Sequence, residues 1–182
     1  MKTKEFIRTM AVAGVLATTA IVLTGCGIPN LPGPTPTVPD RSEQDAVNAI
    51  NEVPGVAGSN LNGGSTGLPW LNDIGIDMAL EKDYPGDKAK LLNYVLAQLW
   101  SQNEVEPTTG VRVHMSVLNG TTVNTPVFLY PIGKSIGFTH TDAPFTVGEA
   151  EMIEHFGKWP GKVPTLPVEL AKLPTSPPLV QP

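Results

Sequence analysis

The chain has 182 residues, 41% of them apolar and 16% charged, with 12 basic residues against 17 acidic ones and a formal charge of −5. Length and apolar content support one folded domain with a real core and exclude a wholly disordered polyampholyte; the acidic balance lacks the basic face that a nucleic-acid binder needs to neutralise phosphates. A single cysteine excludes an internal disulfide framework and a Cys-based zinc cluster, and 19 prolines with 18 glycines require long irregular segments.

The N-terminus carries Lys2, Lys4 and Arg8 against Glu5, and then 14 residues without a charge from Met10 to Leu23. A membrane crossing needs roughly 20 apolar residues, so residues 1–25 read as a cleaved secretory signal. The apolar run ends in Leu23-Thr24-Gly25-Cys26. This tetrapeptide resembles the lipobox of bacterial lipoproteins at all four positions. The resemblance implies that the Cys26 thiol takes a diacylglycerol through a thioether, that a peptidase cuts before Cys26, and that the new amino terminus is then acylated. It implies a protein lipid-anchored to the cell membrane on its extracytoplasmic face. At ~0.8 kcal/mol per buried CH₂, one acyl chain binds marginally, whereas two or three hold the protein on the bilayer. Removing residues 1–25 leaves 9 basic and 16 acidic residues, a formal charge of −7. An anionic leaflet repels such a body, and membrane contact rests on lipid alone.

Residues 26–40 follow as the lipidated cysteine and a tether with prolines at 29, 32, 34, 36 and 39. Proline fixes φ and removes a donor, so this segment reads as extended and semi-rigid, long enough at ~3.1 Å per residue to hold a domain roughly 40 Å from the lipid. Residues 174–182 (PTSPPLVQP) are equally poor in foldable pattern and read as a disordered tail. One folded domain is expected between them, over 41–173.

Its first element is a helix from Arg41 to Val53, with Ala46, Val47, Ile50 and Val53 at helical spacing, Asp40 and Glu43 at capping-box spacing, and Pro54-Gly55 as its stop. A short strand near Val56–Leu61 and a Gly- and Asn-rich loop come next. Ile74, Ile76, Met78 and Leu80 alternate with Gly75, Asp77, Ala79 and Glu81, the period of a strand with one buried face. Tyr84-Pro85-Gly86-Asp87 is a turn that ends in a helix cap. The longest helix spans Lys88 to Gln102, with Leu91, Leu92, Tyr94, Val95, Leu99 and Trp100 as a broad apolar face.

Val111, Val113, Met115 and Val117 alternate with Arg112, His114 and Ser116 in a second strand before the turn signal Asn119-Gly120. A two-residue loop there would pair Val117 with Thr122 and mix apolar with polar partners, so a longer loop is expected. A further strand is expected at Val127–Tyr130, closed by Pro131. Thr146 and Glu149 form a second capping-box pattern ahead of a helix over Val147–Phe156, with Val147, Ala150, Ile153 and Phe156 inward.

Helices between mostly antiparallel strand candidates predict an α+β fold, a mostly antiparallel sheet with helices packed on one face. The phrase AVNAINEVPGVAG followed by strand, helix and strand looks like the helix-strand-strand-helix-strand modules of bacterial envelope proteins such as BON domains, over about 70 residues; the Gly- and Asn-rich insertion at 58–73 departs from that pattern. With LLNYVLAQLWSQNEVEP leading into VRVHM, the chain is also similar to small actinobacterial lipoproteins, a likeness that implies location and no mechanism.

Candidate chemistry is sparse. His114, His140 and His155 have no i,i+3 or i,i+4 pairing, as a helical metal site would have, and His114 shares a polar strand face with Arg112 and Ser116. Thr139-His140-Thr141-Asp142 is the most polar cluster: Asp142 at His140 with Ser135 as nucleophile would make a hydrolase, but the G-x-S-x-G elbow is missing and turn bonding explains the same residues. Gly63-Gly64-Ser65-Thr66-Gly67 lacks the lysine of a phosphate loop and reads as a flexible surface loop. Asp73, Asp77, Glu81 and Asp83 lack EF-hand spacing and read as the solvated side of a strand. Trp100 is expected in the core, and Trp70 and Trp159 as core caps or contact surface.

No catalytic residue, metal ligand or cofactor is therefore expected, and Cys26 is the one assigned site. The leading expectation is a non-enzymatic interaction or binding module of the cell envelope, its partners the membrane through lipid and an envelope protein or ligand, with no nucleic acid. Two alternatives are an extracytoplasmic hydrolase using the 135–142 loop and a phage or prophage surface lipoprotein for superinfection exclusion.

Overall fold

A computed structural model describes residues 40–65, 67–120, 123–139 and 145–174. Cys26, the tether, His140, Asp142 and residues 175–182 lie outside the described residues.

The chain enters through Arg41, whose backbone N–H donates to Asn103 Oδ1 at 3.0 Å and whose C=O accepts from Asn103 N at 2.9 Å, with its guanidinium on the Gln98 side chain. Helix α1 (Glu43–Asn51) then starts on Ser42, which forms a reciprocal capping box with Asp45. The expected cap at Asp40 and Glu43 is thus corrected by two residues: Ser42 has the extended backbone a cap needs, and its hydroxyl reaches Asp45 N at 3.0 Å. The serine hydrogen bonds hold the Asp45 carboxyl below the usual carboxylate range.

Strand β1 (Val56–Ser65) is longer than the six residues expected, and it runs through Gly63, Gly64 and Ser65. These pair with Ile74, Asp73 and Asn72 of strand β2 (Asn72–Leu80), so this part of the expected loop is edge strand. A Cβ at Gly63 would stand 2.6 Å from the Asp73 carbonyl oxygen; the glycine is needed for the close pairing.

The turn after β2 is locked by Tyr84, whose ring lies against Gly55, in a left-handed conformation at φ +83°, and against Gly86. Burial pushes the Tyr84 phenol up to about 12. Asp87 caps helix α2 (Lys88–Trp100) by accepting from Ala89 N and Lys90 N.

Helix α2 is more deeply enclosed than one apolar face requires, because every residue from Tyr94 to Trp100 is buried. It forms a middle layer, packed against the sheet and against α1 and the C-terminal helices. It is also the crossover that makes β2 parallel to strand β3 (Gly110–Asn119). The buried Gln102 side chain ties down the exit loop, donating to Val105 O at 2.6 Å and accepting from Glu104 N and Val105 N.

Strand β4 (Val123–Pro126) pairs antiparallel with β3 from Asn119↔Val123 to Ser116↔Pro126. The connection therefore holds three residues, as the mismatch in a two-residue hairpin requires. The strand expected at Val127–Tyr130 is a correction: only Val127 N continues the pairing, to Met115 O at 2.8 Å, and helix α3 (Tyr130–Ser135) begins with Pro131 in its first turn. Proline there starts a helix, since its missing N–H would have no partner anyway.

Thr146 and Val147 likewise form strand β5 against Arg112 and Val111, not the start of a helix. Helix α4 (Glu149–Phe156) follows from Gly148, without a side-chain cap. Its inward residue is Met152, whereas Ala150 is exposed and Ile153 is 40% exposed, which corrects the expected face. The short helix α5 (Val168–Ala171) buries Leu170.

The result is an α+β fold with strand order β1-β2-β3-β4, β5 beside β3, and one parallel pair. Ile74, Ile76, Met78, Val111, Val113 and Met115 line the buried face. Among the described residues, no helix is long and apolar enough to cross a membrane.

Candidate functional site: the open face of the sheet

Strand residues alternate between faces, so the apolar side of β2 and β3 forces the residues between them outward. The register sets Asn60, Asp77 and His114 in one row across β1, β2 and β3, and Asn62, Gly75 and Arg112 in the next. Gly75 is what lets the second row close. A Cβ there would collide with the Asn62 side chain and stand 2.5 Å from the Asn62 carbonyl oxygen and 3.1 Å from the Arg112 guanidinium.

Five side chains from three strands form a continuous network. Arg112 is ion-paired with Asp73 Oδ2 at 2.9 Å and donates to Asn62 Oδ1 at 3.4 Å. Asn62 Nδ2 donates to Asp77 Oδ2, and the other oxygen of Asp77 meets His114 Nδ1 at 3.1 Å. The Asp77 and His114 side chains are about half exposed (51% and 53%), whereas Asp73 is 16% exposed. Two carboxylates face one guanidinium and one imidazole.

Beside this network lies an open groove of about 440 Å³ whose lining includes Asn60, Asp77, His114, Ser116, Asn124 and Pro126. An Asp–His pair can orient a general base, which then needs a nucleophile within reach. Ser116 is the nearest hydroxyl along the strand, and its Oγ is directed at the Met78 carbonyl oxygen, 3.4 Å away. The arrangement serves hydrogen bonding to a polar partner better than acyl transfer.

The structure thus brings together Asp73, Asp77 and His114 from the sequence candidates and adds Asn62 and Arg112. Sequence reasoning placed Arg112 beside His114 but gave Asn62 to a loop. Its signal was the alternation Gly58, Asn60, Asn62, Gly64, a period of two in polar residues. Among the remaining candidates, His155 packs against Phe138, ring centroids 4.1 Å apart, away from the sheet network. Ser135 Oγ donates to Ile132 O at 2.7 Å, closing a turn of its own helix. Thr139 donates to Glu151 Oε1 through its N–H at 2.9 Å and its hydroxyl at 2.7 Å. Trp100 is fully buried, with Nε1 donating to Gly157 O at 2.8 Å, and Trp159 packs partly buried against the core. Trp70 is 65% exposed. Among the described residues, no cluster of three or more His, Cys, Asp or Glu side chains is arranged to hold a metal ion.

No protein-family profile, no curated protein and no solved structure matches this chain.

Proposed function

We propose that the protein is an envelope lipoprotein, anchored through lipid on Cys26, whose open sheet face is a docking surface for another envelope protein and carries no catalysis of its own. The observation behind this reading is the Asp73–Arg112–Asn62–Asp77–His114 network on the open sheet face, with Asp77 and His114 half exposed. Its polar groups are already oriented by one another, so a partner meets preformed donors and acceptors with little ordering cost. A protein partner is favoured over a small molecule because small-ligand sites are concave and bury most of the ligand, whereas this groove is open. The sequence supports the location: the Leu23–Cys26 tetrapeptide and the proline-rich tether belong to the lipoprotein pattern.

The test has two arms. Mass spectrometry of the membrane-extracted chain should find a diacylglyceryl adduct on Cys26; a bare thiol there overturns the anchor. Crosslinking in intact membranes, followed by partner identification, should give an adduct lost in the Asp77→Ala/Arg112→Ala double variant. An adduct of equal yield in that variant removes the open face from the function.

A further inference from the structure

The sheet has two edges, and they are built differently. Strand β4 has only four residues and ends in Pro126, the short proline-bearing edge that blocks further pairing. Strand β1 has ten residues, VAGSNLNGGS, with no charge and no proline. Along residues 57–65, the main-chain hydrogen bonds among the described residues are those of the ladder to β2. The outward row of N–H and C=O groups is therefore a template for another strand. The proline-rich segments of the chain itself, 27–39 and 174–182, make poor ladder partners because proline cannot donate.

A second feature lies on the inner face of the same edge. A notch of about 190 Å³ is lined by Glu43, Leu61, Gly63, Gly64, Ile74 and Val105. Leu61 is only partly buried there. We propose that the protein forms a two-fold dimer by antiparallel pairing of β1 with β1 of a second copy, in a register that sets Asn62 opposite Asn62. That register sets Leu61 of each copy opposite Gly63 of the other, where its side chain fills the notch. The uncharged strand meets no like charge in its own copy, and the two-fold axis, perpendicular to the sheet, keeps both apolar faces on one side. The glycines at 58, 63 and 64 suit a place where a second backbone comes close. The two open faces join into one surface of twice the width.

The axis residue supplies the test. In the full chain carrying Cys26→Ser, in mild detergent, sedimentation should give twice the mass of one chain. Asn62→Asp and Asn62→Lys each oppose like charges at the axis and should weaken self-association about tenfold or more. An equimolar mixture of the two should recover it. Circular dichroism melts check that both variants fold; if either does not, oxidation of Asn62→Cys should still give a covalent dimer while Asn124→Cys on the β4 edge does not. A wild-type chain that stays monomeric, a mixture no tighter than its components, or equal crosslinking from both edges overturns the proposal.

Discussion

The two faces of strand β2 come from the same nine residues and obey opposite rules. Ile74, Ile76, Met78 and Leu80 are at most 3% exposed, and each contributes by leaving water. Asp73, Gly75 and Asp77 hold their face by geometry: two carboxylates placed on named partners, and a glycine that exists to leave room. The buried face therefore tolerates changes in shape poorly, and the open face tolerates loss of one polar group well but addition of a methyl group badly. Stability resides on one side, and the other is the side we propose for recognition.

The largest effect should come from the helical layer over the buried face. Trp100→Ala removes a fully buried ring together with the hydrogen bond to Gly157, and the ring lies so close to Gly161 that a Cβ added there would stand 2.7 Å from it. A cost of about 3–5 kcal/mol is expected, a large part of the ~5–15 kcal/mol typical of a domain. Thermal melts should lose cooperativity. An unchanged melt would place the division between the faces elsewhere.

Gly75→Ala tests the open face from its most sensitive point. The added methyl meets the Asn62 backbone as well as its side chain, and backbone cannot rotate away. Overpacking of about 1–3 kcal/mol is expected, with loss of the Arg112–Asn62 contact visible as side-chain NMR shifts at both residues. Asp77→Ala should then cost only ~0.2–1 kcal/mol, since the pair with His114 is half exposed. A double-mutant cycle with His114→Ala measures it. If Asp77→Ala costs more than Gly75→Ala, the open face is a structural element and the contrast fails.

The same physics explains what could be read from the sequence. Strands β2 and β3 were legible because a one-sided sheet writes its faces as alternation, and α2 because Leu91, Leu92, Val95 and Leu99 recur at helical spacing in thirteen residues that no proline or glycine interrupts. Chain segments whose structure depends on a neighbour were not legible. β1 has few apolar residues and is a strand because β2 lies beside it; Thr146 and Val147 carry a capping pattern but are claimed by β3. Pro131 closes a strand or opens a helix according to what precedes it, and here the β3 ladder ends first. The network on the open face was half legible, because Asp77 and His114 lie on alternating strands, while Asn62 is placed by the β1–β2 register alone.

The smallest expected effect concerns Glu43, at the border between the two regimes, where α1 begins beside the notch under β1. Burial, and then the nearby Glu104 carboxylate, raise the Glu43 pKa above the usual carboxylate range. A raised folded-state pKa means that the folded protein holds the proton more tightly than the unfolded chain does. The charged form of Glu43 thus works against folding at neutral pH, and this penalty fades as pH falls through the raised folded-state value and is gone below the unfolded one. Glu43→Gln should therefore raise the melting temperature at pH 7, by about 1–2 °C, and leave it unchanged near pH 3. Pairing of β1 in a second copy would close the notch and remove water from Glu43, so the gain at pH 7 should grow with protein concentration. A gain equal at both pH values would show that the glutamine acts through packing and not through charge.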